Sequence, residues 1–306
     1  MIINASFYKE EIRSGFLVTE KRKKIWAVEL QMLEKFDELC HKHGLTYYAY
    51  YGTLLGAVRH QGFIPWDDDI DVIMFRDDYE KFQEIAPTEF KEPYFYQNTY
   101  TDRVMWPLSK IRDSRTTAVE PQFRHLGNTF HQGIFMDIFP FDSVEDGRNA
   151  QFETIKQIQN LLWISITDPE AIINAMEKGQ KLYLSTDFLI DHLRKNVKEK
   201  FRIFELFNRS CLGQSERVNY LIEELYPDGT SCKSVEKNWF HDIVYLPFEH
   251  LQIPAPAEYD KILTQCYGDY HKFVQGGSAH EQILLDPDIP YIEYLLNCET
   301  PVQPTE

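Results

Sequence analysis

The residue types best suited to chemistry lie in one short acidic stretch. Residues 66–73 read WDDDIDVI, so four carboxylates occur within five positions, immediately before an apolar segment. Like charges this close repel one another and raise each other's pKa, which is unfavourable without a cation. Side chains alternate between the two faces of a strand, so Asp69 and Asp71 share one face while Ile70 and Val72 enter the core. Such a pair can hold Mg²⁺ or Mn²⁺ and leave positions for phosphate oxygens; the alternative is an acidic surface turn.

A second feature lies just upstream of the acids. Residues 45–51 read LTYYAYY and predict a strand, Gly52-Thr53 follows, and residues 54–60 predict a short helix. The start of a helix offers free backbone N–H groups to phosphate, and Thr53 adds a hydroxyl. The alternative is a tight turn with a helix cap. Together with the acids, the turn would supply donors for phosphate beside ligands for metal.

Asp137 is the candidate third carboxylate. It lies on a predicted strand, 133–139, whose other residues are mostly apolar. A buried carboxylate needs a cation, a hydrogen-bond partner or a proton. Asp137 therefore either caps a neighbouring element or meets Asp69 and Asp71 across a sheet, where it would bind metal or accept the proton of an attacking hydroxyl.

Cations and aromatic rings near these motifs complete the candidate site. Arg59 follows the Gly-Thr turn, while Lys110 and Arg112 share a strand face; each would contact phosphate or else pair with a surface acid. Trp66 and Tyr51 are candidate walls of a pocket, because aromatic faces bind quaternary ammonium groups. Packing in the core is the alternative for each ring.

Three blocks of the sequence resemble the LicD phosphotransferase family, which belongs to the nucleotidyltransferase superfamily and is related to fukutin-related ribitol-phosphate transferases. The first block, residues 51–82, carries YYGTLLGAVRHQGFIPWDDDIDVIMFRDDYEKF. Residues 133–142 resemble the second signature and residues 246–270 the third, in family order. One departure is visible, because superfamily members usually carry Gly-Gly or Gly-Ser where this chain has Gly52-Thr53.

The resemblance implies a metal-dependent enzyme with Asp69, Asp71 and Asp137 as its metal-binding catalytic centre. Its donor would be a CDP-activated alcohol, most often CDP-choline, and its acceptor a hydroxyl of a teichoic acid, lipopolysaccharide or other cell-surface glycan precursor, with release of CMP. Glycerol, ribitol and ethanolamine donors would fit the same apparatus. A nucleotide-sugar glycosyltransferase also uses an Asp-x-Asp metal site, and a structural Ca²⁺ module is a third alternative, although the EF-hand spacing is missing.

The fold that these features predict is α+β, with a mixed sheet flanked by helices and a nucleotidyltransferase-like core. We expect a catalytic core over 1–145, a helical subdomain over 146–240, and a C-terminal segment over 241–306 that packs back on the core. A long helix is predicted over 20–43, with Thr19 as its N-cap and Gly44 as its C-terminal stop. The further elements predicted are a strand over 69–75, one or two strands over 104–120, a strand-like segment over 243–254, helices over 76–86 and 257–267, and a loose tail after about residue 290.

Composition restricts the class of protein. The 306 residues carry a formal net charge of −16, which argues against a nucleic-acid partner and against a broad electrostatic hold on anionic lipid. The five dispersed cysteines form no C-x-x-C pair, which favours reduced thiols in a cytoplasmic protein. We find neither a signal peptide nor an apolar run long enough to span a membrane. The sequence thus predicts a cytoplasmic enzyme with at most peripheral contact at the inner face of the membrane.

Overall fold

The computed structural model describes residues 4–102, 107–144, 216–221, 234–276 and 282–299. Its α-helices are α1 (Glu20–His43), α2 (Tyr51–His60), α3 (Arg76–Glu89), α4 (Thr99–Asp102), α5 (Tyr259–Tyr267) and α6 (Tyr291–Glu299). Its strands are β1 (Glu11–Arg13), β2 (Phe16–Val18), β3 (Tyr48–Ala49), β4 (Asp71–Phe75), β5 (Tyr94–Gln97), β6 (Ser109–Asp113), β7 (Thr117–Val119), β8 (Phe135–Ser143), β9 (Arg217–Asn219), β10 (Val235–Glu236), β11 (Ile243–Phe248), β12 (Leu251–Pro256) and β13 (Leu284–Asp286).

A mixed sheet of seven strands forms the centre of the fold. Strand β8 pairs in parallel with β4 and antiparallel with β6 and β9, while β3 and β5 extend the sheet from β4 and β6. Most residues of β4, β6 and β8 are buried, which explains why these segments lack a regular polar alternation. The predicted mixed sheet with flanking helices is confirmed.

Helix α1 begins and ends where the sequence predicts. The Thr19 hydroxyl accepts a hydrogen bond from the N–H of Arg22 at 3.3 Å, and Gly44 adopts the left-handed conformation with φ of +63°. One face of the helix packs into the core through residues that include Ile25, Met32 and Phe36. This packing holds the long helix against the sheet.

Strand and helix boundaries differ from prediction around the Gly-Thr turn. The predicted strand 45–51 is reduced to Tyr48–Ala49, and α2 begins at Tyr51 rather than after Thr53. Tyr51 has φ of +44°, an unfavourable value for a residue with a side chain. The chain therefore turns sharply at Tyr51, and Gly52 and Thr53 lie in the first turn of α2.

The C-terminal region is more ordered than predicted. Residues 243–254 form part of the hairpin β11–β12, and the predicted helix over 257–267 is present as α5. The expectation of a loose tail after about residue 290 is wrong for α6. The N–H of Tyr291 donates to the Thr116 carbonyl at 2.9 Å, and β13 pairs with β7. These partners are distant in sequence, which is why local composition did not indicate them.

The domain division stays a prediction. Most of the predicted helical subdomain, 146–240, lies outside the described residues. Its described parts include β9 and β10, which join the central sheet.

The cysteine expectation is confirmed at one position and wrong at another. Cys40 is a free, buried thiol, but Cys266 is disulfide-bonded. Cysteine pairing depends on which thiols the fold brings together, and dispersed positions along the sequence do not reveal it. No described helix combines the length and the apolar composition that crossing a bilayer requires.

Candidate active site

Three charged residues form a row across the central sheet. Asp71 on β4 is the register partner of Asp137 on β8, and Asp137 is in turn the partner of Lys110 on β6. Residues opposed in this way point to the same face of a sheet. The Lys110 Nζ lies 2.7 Å from Asp137 Oδ1, and both carboxylates are nearly buried, with exposed fractions of 9% for Asp71 and 6% for Asp137. The expectation that Asp137 meets Asp71 across the sheet is confirmed.

The acidic turn before β4 lies beside this row. Asp67, Asp68 and Asp69 can each offer one carboxylate oxygen such that all three lie within 4.8 Å of one another. Helix α1 fixes the turn, because Arg22 Nη1 and Trp26 Nε1 both donate to the Asp67 carbonyl, at 2.7 Å and 3.0 Å. The sequence analysis did not single out Asp67 and Asp68, although they belong to the same acidic run.

Burial and mutual repulsion make Asp67 and Asp69 weak acids. Burial raises the pKa of Asp67 to about 8, and the charges of Asp69 and Asp68 add to the shift. Burial also raises the pKa of Asp69, and the charge of Asp137 adds to that effect, although a hydrogen bond with Asp67 opposes it. The charge of Asp137 thus acts on the acidic turn as well as on Asp71.

Asp71 is subject to the same forces. Burial raises its pKa well above the ordinary value, and the charges of Asp69, Asp137 and Asp67 raise it further, while Lys110 lowers it. A divalent cation among these carboxylates would reverse that repulsion. The donor set consists of carboxylate oxygens, which hard cations such as Mg²⁺ and Mn²⁺ prefer, so the residues fit the predicted metal.

The Gly-Thr turn contacts the acids directly. The Thr53 hydroxyl accepts a hydrogen bond of 2.8 Å from the backbone N–H of Asp71. A Cβ atom added to Gly52 would overlap Asp67 Oδ2, so a larger residue here would displace the Asp67 carboxylate. The structure therefore gives both residues a role in positioning acids, and their predicted contact with phosphate stays a prediction.

Arg59 lies at the opposite end of α2 from the Gly-Thr turn. Seven residues of helix separate it from Gly52, which corresponds to about 10 Å along the axis. Its Nη1 donates to the carbonyl of Tyr270 at 3.1 Å, and its guanidinium lies over the ring of Phe273 at 4.8 Å. Arg59 thus ties α2 to the segment after α5.

Arg112 is an internal cation. Its side chain has no exposed surface, and it donates to the side chain of Gln97 and, at 2.9 Å, to the Gly133 carbonyl. Glu120 lies 3.5 Å away. The sequence analysis placed Lys110 and Arg112 on one strand face as candidate phosphate contacts. In the structure their surroundings differ, because Lys110 contacts Asp137 whereas Arg112 bonds to Gln97 and to the Gly133 carbonyl.

The two candidate pocket walls pack against different aromatic partners. Trp66 packs edge to face against Phe16, with ring centroids 6.1 Å apart, and is partly exposed. Tyr51 contacts the ring of Phe139 at 5.3 Å. Both rings pack against the core, and their contact with a ligand stays a prediction.

Glu29 is an acid near the site that the sequence analysis missed. It is buried on α1, and its position among the apolar residues Ile25, Met32 and Phe36 is the signal that could have revealed it. A charged side chain on the apolar stripe of a helix needs a partner within the core.

Comparison with known proteins identifies the family. Residues 44–164, which contain the Gly-Thr turn, the acidic turn and Asp137, match the family described as LicD/FKTN/FKRP, nucleotidyltransferase domain. Among curated relatives, the lipopolysaccharide cholinephosphotransferase LicD of Haemophilus influenzae is 30% identical over 248 residues, which cover 79% of this chain and 88% of that protein.

Two shorter matches are closer in sequence. An uncharacterised protein of Rickettsia typhi is 47% identical over 62 residues, covering 20% of each chain. One of Rickettsia prowazekii is 46% identical over 57 residues, covering 19% of this chain and 21% of that protein. The long match to the Haemophilus protein and the family match together establish the assignment: this chain belongs to the LicD family of phosphotransferases.

Proposed function

We propose that this protein transfers a phosphorylated alcohol, phosphocholine in the first instance, from a CDP-activated donor to a hydroxyl of a cell-surface glycan or teichoic acid precursor. The observation that carries the proposal is the row of Lys110, Asp137 and Asp71 beside the acidic turn. The named activity of the Haemophilus relative supports phosphocholine as the group and lipopolysaccharide as the acceptor class. In this proposal the sheet is a nucleotidyltransferase-like core.

Asp69, Asp71 and Asp137 would hold Mg²⁺ or Mn²⁺. When bound, the cation would neutralise charge that develops on the phosphates during transfer. Thr53 fixes the strand that carries Asp71, and Lys110 fixes the Asp137 carboxylate. These contacts preorganise the acids, which reduces the cost of forming the reactive arrangement.

The acceptor oxygen would attack the phosphorus atom that bears the alcohol. A bond forms between that oxygen and phosphorus, the bond from phosphorus to the bridging oxygen breaks, and CMP leaves with the bridging oxygen. The acceptor proton passes to a carboxylate, for which Asp137 is the candidate because it lies beside Asp71 at the same face of the sheet.

Donor recognition would use the first turn of α2 and the aromatic rings around it. Backbone N–H groups at Gly52 and Thr53 would bind phosphate, with Lys110 as a further cation. Trp66 and Tyr51 would contact the alcohol, as expected for a quaternary ammonium group. Other CDP-alcohols would use the same phosphate contacts, so the alcohol itself is the least constrained part of the proposal.

The test is a labelled-donor experiment. Purified protein is incubated with Mg²⁺, a glycan acceptor and a panel of CDP-alcohols labelled on the phosphorus that bears the alcohol. We expect the label in the acceptor, CMP as the other product, and no turnover in EDTA or with Asp71→Asn. A nucleotidylated acceptor would indicate nucleotidyl transfer instead, and release of CDP would indicate cleavage of the type seen in glycosyltransferases.

A further inference from the structure

Glu29 is a buried carboxylate, one oxygen of which lacks a hydrogen-bond partner among the described residues. Its exposed fraction is 1%, and among the described residues its Oε2 has no hydrogen-bond partner. Burying a carboxylate without a compensating charge or hydrogen bond is strongly unfavourable. The fold retains this carboxylate at a cost to stability. A bound ion that contacts the oxygen would explain why the group is buried there.

The position of Glu29 on α1 directs it to the acidic turn. Arg22, Trp26 and Glu29 follow at steps of four and three residues, so they lie on one face of the helix. The first two both donate to the carbonyl of Asp67. Glu29 is the next residue along the face that holds the turn.

The electrostatics agree with this position. Burial raises the pKa of Glu29 well above its ordinary value, and the charges of Asp69, Asp68 and Asp67 add to the shift in that order, while Arg22 opposes it. The charges of all three acids of the turn thus act on the carboxyl group of Glu29, as the shared face with Arg22 and Trp26 leads one to expect.

The charges around the turn do not balance. Asp67, Asp68 and Asp69 bring three carboxylates together, and their charges act on Glu29 as a fourth acid. Among the described residues, the cations that act on this group are Arg22, which lies 3.6 Å from Asp68, and Lys110, which is paired with Asp137. A divalent cation would supply the missing positive charge, and carboxylate oxygens are its preferred ligands.

We propose that Glu29 is a cation-binding residue, through which α1 supplies a further carboxylate to the divalent ion held at the acidic turn. The inference rests on the metal dependence in the proposed function, and it extends the binding set from the acidic turn and strands β4 and β8 to helix α1. Because α1 also fixes the turn through Arg22 and Trp26, binding of the ion would lock the helix and the turn together.

The experiment measures Mn²⁺ binding to the full chain by calorimetry, and the rise in melting temperature that Mn²⁺ produces. Glu29→Gln keeps the size of the side chain and removes its charge, whereas Glu38→Gln makes the same change at an exposed site on α1 and serves as the control. We expect Glu29→Gln to weaken Mn²⁺ binding roughly tenfold or more, with a smaller thermal shift. We also expect it to raise the melting temperature of the metal-free protein. Glu38→Gln should match the wild type.

A Glu29→Gln chain that binds Mn²⁺ as tightly as the wild type would overturn the inference. Glu29→Met provides a second variant, because it fills a similar volume without polar atoms and should fold even if the amide does not. It should show the same loss of Mn²⁺ affinity. If the wild type transfers phosphocholine and both variants bind Mn²⁺ as tightly as the wild type, the role of Glu29 is rejected and the proposed function stands. If the variants lose Mn²⁺ binding but the wild type transfers nothing from any CDP-alcohol, the proposed function is rejected, and the cation site that includes Glu29 is supported.

Discussion

Asp71 and Asp137 are directly opposed on the parallel strands β4 and β8, and the N–H of Asp137 donates to the carbonyl of Ile70 at 2.9 Å. The backbone pairing thus sets the spacing of the two carboxylates. The two acids differ in their partners, because Asp137 is paired with Lys110 whereas burial and neighbouring negative charges weaken Asp71 as an acid. This difference allows their roles in stability and in activity to be separated.

Substituting either acid should abolish activity with opposite effects on stability. We expect Asp71→Asn and Asp137→Asn each to lower turnover about a hundredfold or more. In the metal-free protein, Asp71→Asn should raise the melting temperature because it relieves repulsion, and Asp137→Asn should lower it because the ion pair with Lys110 is lost. CMP release per folded molecule and thermal unfolding provide the two readouts, with the exposed Asp77→Asn as control. Full activity in a stable Asp137→Asn protein would remove that residue from the site.

The Thr53 hydroxyl should matter for placing Asp71. Thr53→Val leaves the buried N–H of Asp71 without its acceptor, so we expect a loss of about 1–3 kcal/mol in the free energy of unfolding, together with reduced turnover. Thr53→Ser keeps the hydroxyl and should retain most of both. Urea unfolding and initial rates on the same preparations check the prediction. Equal stability and equal turnover of Thr53→Val and Thr53→Ser would contradict it.

Lys110 should be coupled energetically to Asp137. Lys110→Met breaks a buried ion pair, which typically costs about 3–5 kcal/mol when one partner remains charged. The double variant Lys110→Met/Asp137→Asn should be less destabilised than the sum of the single variants, with a coupling energy of about 0.5–3 kcal/mol. A double-mutant cycle by urea unfolding measures this. Additive effects would show that the contact of 2.7 Å contributes little.

The pH dependence of stability should reveal the weak acid at Asp67. Its pKa is about 8 in the folded chain and about 3.9 in an unfolded one. Between these values the folded state binds more protons, so Asp67 costs stability increasingly as pH rises from about 4 to about 8. The free energy of unfolding of Asp67→Asn should therefore grow relative to wild type between pH 5 and pH 8 in EDTA. Mg²⁺ should reverse the trend, because cation binding requires ionised carboxylates. A constant difference in EDTA would contradict the assignment.

The sequence by itself determined the features that depend on neighbouring residues. Thr19 and Gly44 mark the ends of α1 because caps are local hydrogen-bonding arrangements. The acidic run and the apolar strand around Asp137 indicated a metal-binding site because their composition is unfavourable without a partner. Apolar segments in strands and the periodicity of apolar residues in helices explain why most predicted elements are present.

Only the tertiary structure decided which of these residues meet. Strand register places Lys110 beside Asp137 and leaves Arg112 internal, although both occupy one face of the same strand. The contact of Thr53 with Asp71 and the position of Glu29 at the acidic turn depend on packing between elements distant in the chain. Sequence patterns encode which face of an element is buried, whereas the partner on that face is set by register and packing across the whole fold.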